Sequence, residues 1–274
     1  MAAEQSHGGG EAAASFRASV ASRVAAFKDH PTHRITKGAQ ALVEGKLGAW
    51  VLFTNGLIVN GTNPTAIRKL LEAKNTDPQK IVDGSRSLVS VLPDRKHRQG
   101  LIDINRYVNP NIRKALEGPD TEMLTQEGQP LFYKVFAGDA PYLQPPLVRV
   151  EKNGDRTIVL LWHNNKRLQQ LDLEMRKLAH GAVLLTGSSA NKTGDPQALF
   201  LHDLDPDVSK YIEFSVSARD KKTHTVPTTK RGSIPMIDLT MNEPRVIREG
   251  MYPALPKNNS LRKLLLQDPQ LIFR

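Results

Sequence analysis

The chain has 274 residues, 39% of them hydrophobic and 24% charged, enough to bury a core as one large domain or two small ones. It contains no cysteine, which excludes disulfides, thiolate catalysis and cysteine-ligated metals, and no apolar run nears the roughly 20 residues that span a bilayer. A formal net charge of +10 favours polyanionic partners, nucleotides and nucleic acid among them.

Residues 1–30 read as a tail carrying one short helix near Phe16 to Phe27, with no hydrophobic signal-peptide core. Residues 31–274 read as a single domain, and the composition suits a reducing, cytoplasmic setting. "AQALVEGKLGAW" predicts a helix closed by Gly45 and Gly48. "AWVLFT" predicts a buried strand, and "LIVNG" either continues it or pairs beside it. In "NPTAIRKLLEAKN", Asn63 is a good N-cap and Pro64 suits the first helical position. Ile67, Leu70 and Leu71 make one apolar face, and Lys74 falls on that face one turn later. "RSLVSVL" alternates as a strand, so strand, helix and strand together suggest a βαβ unit.

From Pro93 to Pro146 the pattern is weak, with a helix around Asn111 to Leu116 and a strand in "LFYKVFAG". "RTIVLLWH" predicts a strand. "KRLQQLDLEMRKLAHG" predicts a helix on the spacing of Leu168, Leu171, Met175 and Leu178, with Gly181 at its C-terminus. "AVLLTG" follows as a strand and suggests a second βαβ unit. Beyond it come "SKYIEFSVS", a basic loop from Arg219 to Arg231, strands "IPMIDL" and "RVIRE", and a helix near Ser260 to Gln267. The fold class is α/β, one domain with a mixed sheet.

"LLTGSSANKTGDP", residues 184–196, leaves a strand and at once presents Ser188, Ser189, Asn191 and Thr193. In open α/β sheets ligands bind just past the carboxyl ends of strands. These hydroxyls and amides suit a sugar, a base edge or phosphates. An ordinary strand–loop turn is the other reading of the same residues. His30 and His33 flank a proline and have no carboxylate cluster beside them, so no metal site is expected. The basic loop reads either as a solvated segment or as a groove mouth touching RNA phosphates. Trp50 and Trp162 sit in apolar strands and read as core. No Walker-type glycine loop is present, so ATP would not be held in the P-loop manner.

The order of residues adds a resemblance. "SSANKTG" resembles the "T-S-A-N-x-S-G" signature of the YrdC-like family, the threonylcarbamoyl-adenylate synthases. Ser189, Ala190, Asn191 and Gly194 match, and Thr193 stands for serine. "PMIDLTMNEPRVIREGMYP" resembles the family's closing pattern, with Asp238, Pro244, Arg248 and Gly250 in place. "GAWVLFTNG" with "NPTAIRKLLEAKN" resembles its opening, with Gly48, Thr54, Ala66 and Lys74 in place. The resemblance runs from Thr36 to Pro253.

It implies a twisted, mixed, open sheet with helices packed around it and a concave basic groove. It also implies joining of ATP, bicarbonate and threonine into threonylcarbamoyl-adenylate and pyrophosphate, for tRNA modification. Related enzymes handle carbamoyl-adenylate, and the family has been described as binding double-stranded RNA. Carried over residue by residue, Lys74 and Arg86 are the catalytic cations. Thr54, Ser189, Asn191, Ser233 and Arg248 hold the nucleotide, which is ATP with or without Mg2+.

There are departures from the pattern, and the nucleotide-loop side is better kept than the amino-acid side. The family's "K-x-R" reads Lys74-Asn75-Thr76, so its second cation is missing, and Arg86 is read at the place of a later family lysine before the strand. Its "P-T-D-T-V-Y-G-L" reads Phe53 to Asn60 and lacks the tyrosine and the acid. The arginine of the strand before the long helix has no counterpart in "TIVLLWHNN". Ser233 lies one position off, with Ile234 in the aligned place. The expectation is a nucleotide groove with an altered small-molecule acceptor. The alternative is a non-catalytic module that binds double-stranded RNA or tRNA.

Overall fold

The computed structural model describes residues 31–51, 55–77, 88–192, 204–217 and 233–267. The expected N-terminal tail and the basic loop at 219–231 lie outside these residues. Helix α1 (Pro31–Val43) buries Ile35, Ala39 and Leu42 at helical spacing. It ends at Gly45, whose φ of 82° suits a glycine, whereas Gly48 opens strand β1 (Gly48–Val51). Strand β2 (Asn55–Asn60) does not continue β1 but pairs antiparallel beside it. In α2 (Pro64–Ala73) the Asn63 side chain accepts from the amides of Thr65 and Ala66. The helix buries Ala66, Ile67, Leu70 and Ala73, and Lys74 is its C-cap.

Strand β3 (Val89–Val91) and α3 (Pro110–Glu117) follow, with short 3₁₀ turns at Arg95–His97, Ile104–Arg106 and Asp120–Met123. Then come β4 (Leu131–Phe136), β5 (Arg149–Val150) and β6 (Arg156–Trp162). Helix α4 (Lys166–Leu178) leads into β7 (Leu185–Ser189). Ala179 caps α4 in an extended conformation, so the expected glycine stop at Gly181 is not used. The chain closes with α5 (Pro206–Ser209), β8 (Phe214–Ser217), β9 (Met236–Asp238), β10 (Arg245–Arg248) and α6 (Asn259–Leu266). Among the described residues no helix is long and apolar enough to cross a membrane.

The strands form one open, mixed, ten-stranded sheet in the order β10-β9-β4-β6-β3-β7-β2-β1-β8, with β5 beside β6. Strands β3 and β6 are parallel, and β7 is antiparallel to both β3 and β2. Thus β2 and β3 run in one direction with β7 between them, and the first βαβ unit is present. The second is corrected: β6 and β7 run in opposite directions, with β3 inserted between them. Helical periodicity in α4 reports a crossover, but not the direction of the strand that follows it.

Directly paired residues share a face of a sheet. One face therefore carries Leu131, Tyr133 and Val135 of β4 with Ile158, Leu160 and Trp162 of β6, and all six are fully buried. Tyr133 and Trp162 meet edge to face at 5.1 Å, as aromatic quadrupoles prefer. The other face carries Phe132, Lys134, Val89, Gly187 and Ser189, which are only half-buried. A strip of that face is left partly open.

Candidate functional site

The loop after β7 is held by a lysine. Lys74, 6% exposed, donates from Nζ to the carbonyl of Ser189 at 2.6 Å, to the carbonyl of Asn191 at 2.5 Å, and to Ser189 Oγ at 3.4 Å. The C-terminal end of α2 delivers the ammonium, and the β2–β7 pairing delivers Ser189 opposite Gly56. An ammonium buried without such partners would carry a heavy desolvation cost. Here it fixes the backbone of residues 189–191, so these three predicted residues lie together.

A second clamp lies just beyond. Lys192 Nζ sits 2.8 Å from Asp207 and 3.0 Å from Asp205 at the start of α5. Hydrogen bonds to Asp207 and then Asp205 raise its pKa. The lysine inside the motif is therefore turned to these carboxylates. Nothing in the sequence singled it out. The two acids lie more than a dozen residues further on.

Arg248 and Ser233 form a separate set at the other end of the sheet. The Arg248 guanidinium donates to the carbonyl of Ile234 at 2.9 and 3.3 Å and lies 5.2 Å from the Phe132 ring centroid. Burial lowers its pKa, and among the described residues no carboxylate pairs with it. The carbonyl of Ser233 accepts from the Met251 amide at 3.0 Å. Gly250 lets these segments meet, since a Cβ there would come within 2.4 Å of Pro235. Arg248 pairs with Met236 and Met236 with Phe132, so Arg248 shares the half-open face with Ser189. The backbone of β10 is five strand spacings from β7, but the Arg248 guanidinium reaches over Phe132 of β4, three spacings from β7, about 14 Å along the sheet. The structure therefore does not bring Arg248 and Ser233 into contact with Lys74, Ser189 and Asn191. Thr54 and Arg86 lie outside the described residues, as do Thr193 and Gly194.

Between the two sets lies a cluster that motif reading did not single out as a site. Lys134 Nζ contacts Glu151 at 2.9 Å and Asp238 at 3.1 Å. Burial alone would lower the Lys134 pKa, but the hydrogen bonds and charges of Glu151 and Asp238 outweigh it and hold the pKa up. Glu151 also accepts from Thr157 Oγ, and Asp238 from the amide and hydroxyl of Thr240. The signal in the sequence was a lysine at an alternating position within "LFYKVF", which requires a partner acid. His163, just after β6, has its pKa lowered to about 4 by burial.

No family model matches the sequence, and no curated protein matches it. Solved structures do. A double variant of Sua5 from P. abyssi superposes with a TM-score of 0.58 at 19% identity, over 81% of this chain and 58% of that one. P. abyssi Sua5 complexed with L-threonine superposes with a TM-score of 0.58 at 16% identity, over 90% and 59%. E. coli YciO gives a TM-score of 0.55 at 13% identity, over 81% of this chain and 91% of that one. Full-length HypF in a phosphate- and nucleotide-bound form gives a TM-score of 0.52 at 15% identity, over 80% and 29%. The chain thus spans less than two thirds of the length of the Sua5 structures. At these identities the likeness shows the fold.

Proposed function

From a fold shared with Sua5 and YciO, we propose that this chain is a diverged YrdC-like protein that binds ATP or an acyl- or carbamoyl-adenylate. Its chemistry is nucleotidyl transfer, or carbamoyl transfer, with an acceptor other than threonine. In the first case a carboxylate oxygen forms a bond to the α-phosphorus of ATP, and the bond to the bridging oxygen breaks to release pyrophosphate. Such a reaction needs no covalent nucleophile. It needs cations and hydrogen-bond donors that hold two anions in line.

The observation that carries the reading is the grip of Lys74 on Ser189 and Asn191. It preorganises the loop just past a strand end, where open α/β sheets bind ligands. Arg248 supports it as a half-buried cation, without a carboxylate partner among the described residues, on the same sheet face. The full-length HypF structure named above, 29% of which superposes on this chain, is a phosphate- and nucleotide-bound form. The rewritten segment at Phe53 to Asn60 supports an acceptor other than threonine.

Purified protein incubated with ATP, bicarbonate and a panel of amino acids, with pyrophosphate followed, tests the proposal. The expected result is pyrophosphate release with an acceptor other than threonine. No release with any acceptor, together with no ATP binding by calorimetry, overturns it. The +10 formal charge favours a second reading, a module that binds double-stranded RNA. Binding of a short RNA duplex whose affinity falls steeply with salt, without any turnover, is the outcome that reading requires.

A further inference from the structure

The side chain of Arg248 is aimed by a break in its strand. Arg245 pairs with Asp238, Val246 with Ile237 and Arg248 with Met236, so Ile247 is an extra residue in β10. Strict alternation from Arg245 would put Arg248 on the opposite face of the sheet. The bulge returns it to the half-open face, and bulges near functional sites commonly re-aim a side chain in this way. There the guanidinium lies 5.2 Å over the ring of Phe132, which is itself held between its sheet partners Met236 and Leu161.

What this group can take follows from which of its parts are spent. Nε and Nη2 both donate to the carbonyl of Ile234, at 3.3 and 2.9 Å, so a fork that could grip a phosphate in two places is occupied. One flat side rests on Phe132. Among the described residues Ile234 and Phe132 are its polar and ring partners, which leaves the other flat side for a ligand. Guanidinium planes stack well on planar rings. The surroundings also disfavour a phosphate. Lys134 is already paired with Glu151 and Asp238, and the exposed Arg245 stands opposite Asp238. Neither adds a spare positive charge beside Arg248, and the two carboxylates oppose an anion. A neutral ring meets no such opposition.

We propose that Arg248, on its Phe132 floor, is the stacking platform for the planar base of the bound nucleotide, and not a cation that grips its phosphates. This rests on the reading that the chain binds ATP or an adenylate. It adds which part of the ligand each end of the face takes. The base lies on Arg248, and the phosphates point along the face toward the loop at 189–191.

Calorimetric titrations of ATP and of inorganic tripolyphosphate into the full chain, Arg248→Lys and Arg248→Gln, at physiological salt, test it. Arg248→Lys keeps the charge and a donor for the Ile234 carbonyl but removes the plane, so a loss it shows is not a loss of charge or of that bond. Both variants should bind ATP about fivefold more weakly than the parent. Tripolyphosphate, which has no base, should titrate alike in all three proteins. Unchanged ATP affinity in Arg248→Lys, or tripolyphosphate weakened as much as ATP by either variant, overturns the platform while leaving the nucleotide reading intact. A parent chain that binds no ATP overturns that reading and the platform with it.

Discussion

Lys74 does two things with one ammonium group. It satisfies the carbonyls of Ser189 and Asn191, and it places positive charge beside the loop that carries the motif. Lys74→Met keeps the apolar stem and removes the donors, so two carbonyls lose their partner. The expected cost is about 1–3 kcal/mol of stability, read as a lower denaturant midpoint at unchanged slope. A midpoint equal to that of the parent contradicts the clamp. His163 supplies a pH dependence. Its folded pKa of about 4 lies below the ordinary value near 6.5, so the unfolded chain binds the extra proton between these limits. Its contribution is present above about pH 6.5 and is lost as pH falls toward 4, and it is worth up to about 3 kcal/mol. Partial exposure of the ring reduces that figure. His163→Gln should flatten the decline in unfolding free energy over this window, and an unchanged slope contradicts the assignment.

The edge of the sheet at β1 and β8 depends on a missing side chain. A Cβ at Gly48 would fall 2.3 Å from the Phe214 ring, which lies across the strand. Gly48→Ala is expected to cost about 1–3 kcal/mol by overpacking, and Gly48→Ala with Phe214→Leu should recover part of it. Strictly additive losses contradict this packing. The same scale shows what local pattern can and cannot convey. Helices α2 and α4 were legible because their buried positions recur every three or four residues, and α2 also because Asn63 caps its start. The strand direction of β7 was not legible, because it depends on pairing with residues over a hundred positions away. Residues 93–123 were obscured for another reason. Their 3₁₀ turns are three or four residues long and bury few side chains, too short to leave a period.

For the molecule as a whole, the half-open sheet face carries three groups in a row: the loop at 189–191, the Lys134–Glu151–Asp238 cluster, and Arg248 over Phe132. The motif made the loop legible in the sequence, and the structure joins it to Lys74. Motif order also singled out Arg248, but the roughly 14 Å of sheet between its guanidinium over Phe132 and the loop was not legible, since matching motifs carry no distances. A bound nucleotide should answer Arg248 and the loop separately, and Arg248→Gln is expected to weaken it less than a change at Lys74. ATP titrated by calorimetry into the parent chain and into Lys74→Met is the most direct test. The parent should bind saturably, and the variant about tenfold or more weakly. No heat of binding in the parent, or equal affinity in the two proteins, would show that this loop does not hold a nucleotide.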